Sequence, residues 1–354
     1  MDLFTPIVPS EKQHPNFIST CIPGRASERA VVQNWATDFP DRDGKFVQEF
    51  QTTFNSSFWE IYLYALFKEY GFEMNWANPS PDFLLKTSFG DIVVEAVTAN
   101  AAAGATPEWE KIRLMTDEVI NKNFWPLNRE AIIRLSNALL GKVRKYATHY
   151  QRLAHVAGRP YIIAVAPFEQ PDFQHQYDRP MRALLYDDYV DETAYFRDPD
   201  AYPNGPPSVQ IRSIEKDNGA TIEMGIFCNH EWAEVSAVMF SCVATWGKTV
   251  AMSTEPRLGS VMTSWGTDES GRSEMRMARI GQPSESISDG FQVFHNPYAR
   301  RPVPLEIFRR KGVVQHYFLR HHGWVRENYD DCLQFRLTQT LGLINQSPKQ
   351  HRQK

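Results

Sequence analysis

Pro81-Asp82-Phe83-Leu84-Leu85, followed after the turn-rich Lys86-Thr87-Ser88-Phe89-Gly90-Asp91 by Ile92-Val93-Val94-Glu95-Ala96-Val97-Thr98, is the stretch on which the reading of this sequence turns. Two apolar runs of strand length joined by a short loop containing Gly predict a β-hairpin. Each run carries one carboxylate. Asp82 opens the first strand directly after a proline, and Glu95 interrupts the second, on the face it shares with Val93 and Val97 by the two-residue period of a strand. A carboxylate among apolar neighbours is costly unless it is paired, hydrogen-bonded or bound to a cation.

Working outward, residues 72–78 read as a further strand, which makes an antiparallel meander with the hairpin. Before it, residues 54–70 place Phe54, Phe58, Trp59, Ile61, Tyr62, Leu63, Leu66, Phe67 and Tyr70 at helical spacing around most of the cylinder, predicting a substantially buried helix. Gly71 is suited to end that helix and Phe72 to make the accompanying apolar contact. Within it sits a third carboxylate, Glu60. Downstream, an Ala-rich connection leads to a long helical pattern over about 129–156, closed by Gly158 and Pro160. Tyr161-Ile162-Ile163-Ala164-Val165-Ala166 then reads as a strand buried on both faces, reached by a crossover. The order is helix, three strands, helix, strand, and the class is α/β.

Two carboxylates on neighbouring strands with a third on a nearby helix form an all-oxygen donor set suited to Mg²⁺ or Mn²⁺, ions that activate water and stabilise charge on a phosphate. At these residues the sequence resembles the PD-(D/E)XK nuclease superfamily, the restriction-endonuclease-like fold, over roughly residues 50–168. The resemblance implies that Asp82 and Glu95 bind the cation, that Glu60 assists, and that the substrate is DNA ahead of RNA. It also implies a lysine two positions after Glu95, where this sequence has Val97. Some members of the superfamily relocate that lysine to the following helix. Lys142 is the leading candidate here, with Lys145 on a neighbouring part of the same helix face and Lys86 in the hairpin turn as a weaker alternative. The function implied is metal-dependent phosphodiester hydrolysis, in bacterial defence or DNA processing. The alternative is a nuclease fold that has lost catalysis at Val97 and serves as a nucleic-acid-binding or assembly module. Protein partners would be a second copy of the chain or the other proteins of a multi-component system.

The 354 residues are 42% apolar and 23% charged, which excludes a disordered or low-complexity chain. Around the core at 46–170 the sequence suggests an irregular N-terminal segment (1–45), an acidic, turn-rich insertion or linker (171–207) and a mixed, strand-containing C-terminal extension (208–354). Strands are expected at 209–214, 221–227 and 235–240. The net charge of −4 argues against a bulk polyanion binder, but charge is segregated. Residues 299–354 hold eleven Lys or Arg against four Asp or Glu, a net of +7. Within them Arg300, Arg301, Arg309, Arg310 and Lys311, interleaved with aromatic residues, are candidates to track a phosphate backbone. Four scattered cysteines fit a reducing cytoplasm better than a disulfide scaffold. Cys228-Asn229-His230 lacks the second pair that a zinc site needs, and Cys228 is expected to be a buried thiol. No apolar run approaches the ~18 residues that span a bilayer, so no membrane association is expected.

Overall fold

The computed structural model describes residues 1–112, 115–267, 273–328 and 331–340. Its helices are α1 (Pro15–Thr20), α2 (Ala26–Trp35), α3 (Phe46–Thr52), α4 (Phe54–Glu69), α5 (Asp117–Ile120), α6 (Trp125–Thr148), α7 (Arg179–Tyr186), α8 (Glu192–Arg197) and α9 (Trp246–Met252). The reason α4 stops where it does is local. Gly71 adopts a φ of 75°, a left-handed conformation that a side chain resists. Its N–H returns to the carbonyl of Lys68 (3.0 Å) and that of Phe72 to the carbonyl of Phe67 (3.1 Å), while the Phe67 and Phe72 rings meet at 6.2 Å. The long apolar circumference of α4 is buried as its sequence predicts, from Phe54 to Phe67.

The eight strands of the large sheet are labelled here β1 (Glu73–Met74), β2 (Phe83–Thr87), β3 (Gly90–Thr98), β4 (Tyr161–Ala166), β5 (Val235–Phe240), β6 (Phe291–His295), β7 (Val313–Leu319) and β8 (Gly323–Glu327). Their order across the sheet is their order along the chain. β1, β2 and β3 form the expected antiparallel meander. α6 then carries the chain over to β4, parallel to β3, and β4 is parallel to β5 as well. All six residues of β4 are buried, as a strand between two parallel neighbours requires. The β5–β6 pair is antiparallel, β6–β7 parallel and β7–β8 antiparallel, so the molecule is mixed α/β around one large mixed sheet.

Several expectations need correction. Residues 1–45 are not irregular: they hold α1 and α2, whose buried face includes Phe17, Val32 and Trp35. The helical period of α2 was masked because Glu28 is buried with them, in an ion pair with Arg257. The first half of the acidic stretch, 171–190, is packed against the body of the protein, while 191–207 stay at the surface as an insertion would. All of α7 is buried, because Arg179 and Arg182 neutralise Asp178, Asp188 and Glu192. The strand expected over 209–214 is broken into Ser208–Val209 and Ser213–Glu215, with Arg212 between them at a φ of 66°. α6 begins and ends earlier than the pattern at 129–156, with Pro126 in its first turn and a short 3₁₀ turn at Tyr150–Arg152 after it. The segments 46–170 and 208–354 share the sheet, and one apolar cluster runs from Leu3 to Leu333. Among the described residues no helix is long and apolar enough to cross a membrane.

Candidate active site

The β2–β3 register, which pairs Phe83 with Val94, runs on to set Asp82 opposite Glu95. Asp82 Oδ2 accepts the Ala96 N–H at 2.7 Å, so its carboxylate is held against the backbone of β3 beside Glu95. Glu95 itself is fully buried, on the strand face with Val93 and Val97. From α6, Lys142 Nζ donates to Glu95 Oε1 at 2.7 Å and Lys145 Nζ donates to the same oxygen at 2.9 Å. Glu95 Oε2 is buried and has no hydrogen-bond partner. A cleft of about 690 Å³ opens here, and Glu60, Asp82, Glu95, Val97, Lys142 and Lys145 all line it.

The electrostatics follow from that crowding. Burial, then the negative charge of Glu95, pushes the Asp82 carboxyl up to about 6, against the opposing pull of Lys142, the Ala96 hydrogen bond and Lys145. Burial and the proximity of Asp82 push Glu60 up to about 8. The Tyr150 hydroxyl, buried close to Glu95 and Ser80 without a well-formed hydrogen bond to either, is pushed far above its ordinary value by burial and then by Glu95. The Lys145 ammonium sits 4.8 Å from the centre of the Tyr150 ring, which fixes one side of the lysine pair.

The expected site residues are therefore distributed unequally. Asp82, Glu95 and Lys142 come together, with Lys145 as a second amine on the same oxygen. Glu60 faces the same cleft, but among the described residues no three His, Cys, Asp or Glu side chains converge on one point. Lys86 is turned away to Glu73 at 3.0 Å. The basic candidates of the C-terminal extension do not line this cleft. Arg300 and Arg301 pair with Glu234 at 2.7 and 2.9 Å, and Arg309 pairs with Glu327. Arg310 lies 5.1 Å over the Tyr70 ring and borders, with Lys311, a different cleft. The part of the basic tail beyond residue 340 lies outside the described residues. Cys228 is exposed, not buried.

Sequence reasoning missed Ser56 on α4, Asn100 after β3, and Arg134 and Asn137 on α6, all of which line the cleft. A signal for the last two was present. Arg134, Asn137, Lys142 and Lys145 fall on one helical stripe, three, five and three residues apart, with Gly141 between them leaving the stripe open where a side chain would stand.

The cation test rests on the donors present. Asp82 and Glu95 offer hard carboxylate oxygens, one of them buried without a partner, and two adjacent carboxylates repel one another until a cation lies between them. Mg²⁺ is commonly held by only one or two carboxylates and completes its shell with water and substrate oxygens. The residues fit such an ion, with Asp82 and Glu95 as direct ligands and Glu60 at one remove. Comparison with family models, curated proteins and solved structures returns no match to this chain.

Proposed function

We propose that this chain is a divalent-metal-dependent nuclease, with a restriction-endonuclease-like core over roughly residues 50–168, acting on DNA ahead of RNA. The observation that carries the reading is the unequal use of Glu95. Both lysine amines go to one oxygen, while the other is buried without a well-formed hydrogen bond and the carboxylate has the Tyr150 hydroxyl close by. A purely structural ion pair would fill both oxygens, since a buried unmet acceptor is costly. Asp82 and Glu95 would hold a divalent cation, whose charge would offset both carboxylates.

When bound, Mg²⁺ or Mn²⁺ would polarise a phosphoryl oxygen and lower the pKa of a coordinated water. The remaining work falls to this chain's own groups. Lys142, anchored on Glu95 Oε1, presents its ammonium beside the carboxylate pair, where it stabilises negative charge on a phosphate and orients the attacking water. It lines the same cleft as Val97, the position at which the resemblance implies a lysine. Glu60, holding its proton up to about pH 8, adds a neutral donor to the cleft instead of a third repelling charge.

The test is cleavage by the purified full chain of plasmid, linear duplex, single-stranded DNA and RNA, with Mg²⁺ or Mn²⁺. Activity that disappears in both Asp82→Ala and Glu95→Ala supports the reading. Equal cleavage by wild type and both variants overturns it. Nucleic-acid binding without cleavage under every metal condition would replace it with the binding-module alternative.

A further inference from the structure

A different face of α4 borders a second, smaller cavity. Whereas Ser56 and Glu60 face the nuclease cleft, Phe54, Asn55 and Phe58 line a space of about 170 Å³ together with Phe168, Phe173 and Trp246 of α9. The four phenylalanines are buried, so the wall is largely aromatic. Its polar groups are unevenly satisfied.

Several of the acceptors are engaged. Asn55 Oδ1 accepts from Asn16 Nδ2 at 2.9 Å, and Ser19 Oγ accepts from Arg25 Nη1 at 3.0 Å. Thr245 Oγ1 accepts from the Gly247 N–H at 3.2 Å. The Glu108 carboxylate is taken by Lys111 at 2.7 Å and the Asp172 N–H at 2.8 Å. Donors are left over. Asn55 Nδ2 and Trp246 Nε1 are buried with no hydrogen-bond partner, and Asn55 is only 6% exposed. Arg25, which also lines the cavity, has no carboxylate within ion-pair distance among the described residues, although its guanidinium is partly desolvated.

This imbalance selects the ligand. A water molecule can accept from Asn55 and Trp246, but it brings no negative charge to Arg25. A carboxylate only accepts. An apolar cavity of about 150 Å³ admits benzene, so the space here suits a single six-membered ring. We infer that this cavity binds a small monocyclic aromatic carboxylate, its ring among the phenylalanines and its carboxylate taken by Asn55, Trp246 and Arg25.

Benzoate is the probe. Titrated into the full chain, it should shift the indole Nε1–H resonance of Trp246, assigned with Trp246→Phe, and the shift should saturate. Arg25→Met and Asn55→Leu should each weaken binding by about tenfold or more, the scale set by losing one charge-assisted or buried hydrogen bond. The Arg25 variant keeps the test decisive if the core change at Asn55 impairs folding. Asp82→Ala should bind benzoate as wild type does, so this result stands or falls apart from the nuclease reading. No saturable shift, equal affinity in Arg25→Met, or toluene binding as tightly as benzoate would each overturn the inference.

Discussion

Two regions of the molecule combine one buried carboxylate with two cations, and they differ in how completely the carboxylate is used. Around Glu285, Arg336 donates to both oxygens at 2.5 Å and Lys248 to one at 3.0 Å, while Lys248 spends its remaining protons on the carbonyls of Ser286 and Asp289. Neither Lys248 nor Glu285 is exposed at all, and Arg336 is 3% exposed. Around Glu95 both amines crowd onto one oxygen, the other is unmet, and the lysines stand 21% and 47% exposed at a cleft wall. The first arrangement is saturated and joins the α9 segment to the chain around 285 and 336. The second keeps coordination capacity in reserve. One carboxylate with two cations is thus saturated in one place and left open in the other, and what separates them is the number of lone pairs left over.

The comparison breaks most visibly in stability. Glu285→Ala strands Lys248 and Arg336 in the interior and should cost about 3–5 kcal/mol by urea denaturation. Glu95→Gln leaves lysines that can turn to water and should cost under about 1 kcal/mol. Similar losses in the two variants would show that the Glu95 group is also a structural clamp.

In activity the order reverses. Asp82→Asn should lower the cleavage rate about 10³-fold, near 4 kcal/mol of barrier, with the fold intact by circular dichroism. The two amines should then divide. Lys142→Met, which removes the less exposed amine, should cost about 10²-fold, and Lys145→Met under about tenfold. Equal losses would make the pair a single functional unit.

A separate effect is a pH signature. Because the Asp82 carboxyl is raised from 3.8 to about 6 in the folded protein, folding takes up a proton between those values, so stability falls as pH rises through that window and stays lower above it. Asp82→Asn should therefore be more stable than wild type above pH 6, by about 1–2 kcal/mol, and indistinguishable from it at about pH 3. Thermal melts across that range read this directly. A Glu285 variant should show its deficit throughout the neutral range.

How much of this was legible in the sequence depended on whether the deciding interactions are local. The course of α4, its stop at Gly71 and the alternation that places Glu95 with Val93 and Val97 are set by neighbours a few residues away, and they read correctly. Asp82 and Glu95 were brought face to face by the hairpin, a short-range device. The amine on Glu95 comes from 47 residues further on, so the sequence could only nominate Lys142 by type and helix face. The ion pairs of the extension's arginines were hidden for the same reason. A charge sum over 299–354 does not reveal that Glu234, far upstream, holds Arg300 and Arg301. α2 escaped notice because its inward face carries Glu28, which is tolerable there because Arg257 and the Ser27 hydroxyl meet its carboxylate.

Because each strand of the large sheet lies beside its predecessor in the chain, the sheet can be laid down edge to edge as synthesis proceeds, with no later strand inserted between earlier ones. Every cleft residue falls between Ser56 and Lys145, inside the portion made first. The later strands extend the sheet at its far edge, yet Tyr62 of α4 donates to the carbonyl of Ile287 at 2.8 Å, so the helix bearing Glu60 gains its last anchor only when that distant segment arrives. A nascent chain would thus hold the parts of the cleft before it can hold them still, which ties the rigidity of the cleft to the arrival of the chain around Ile287.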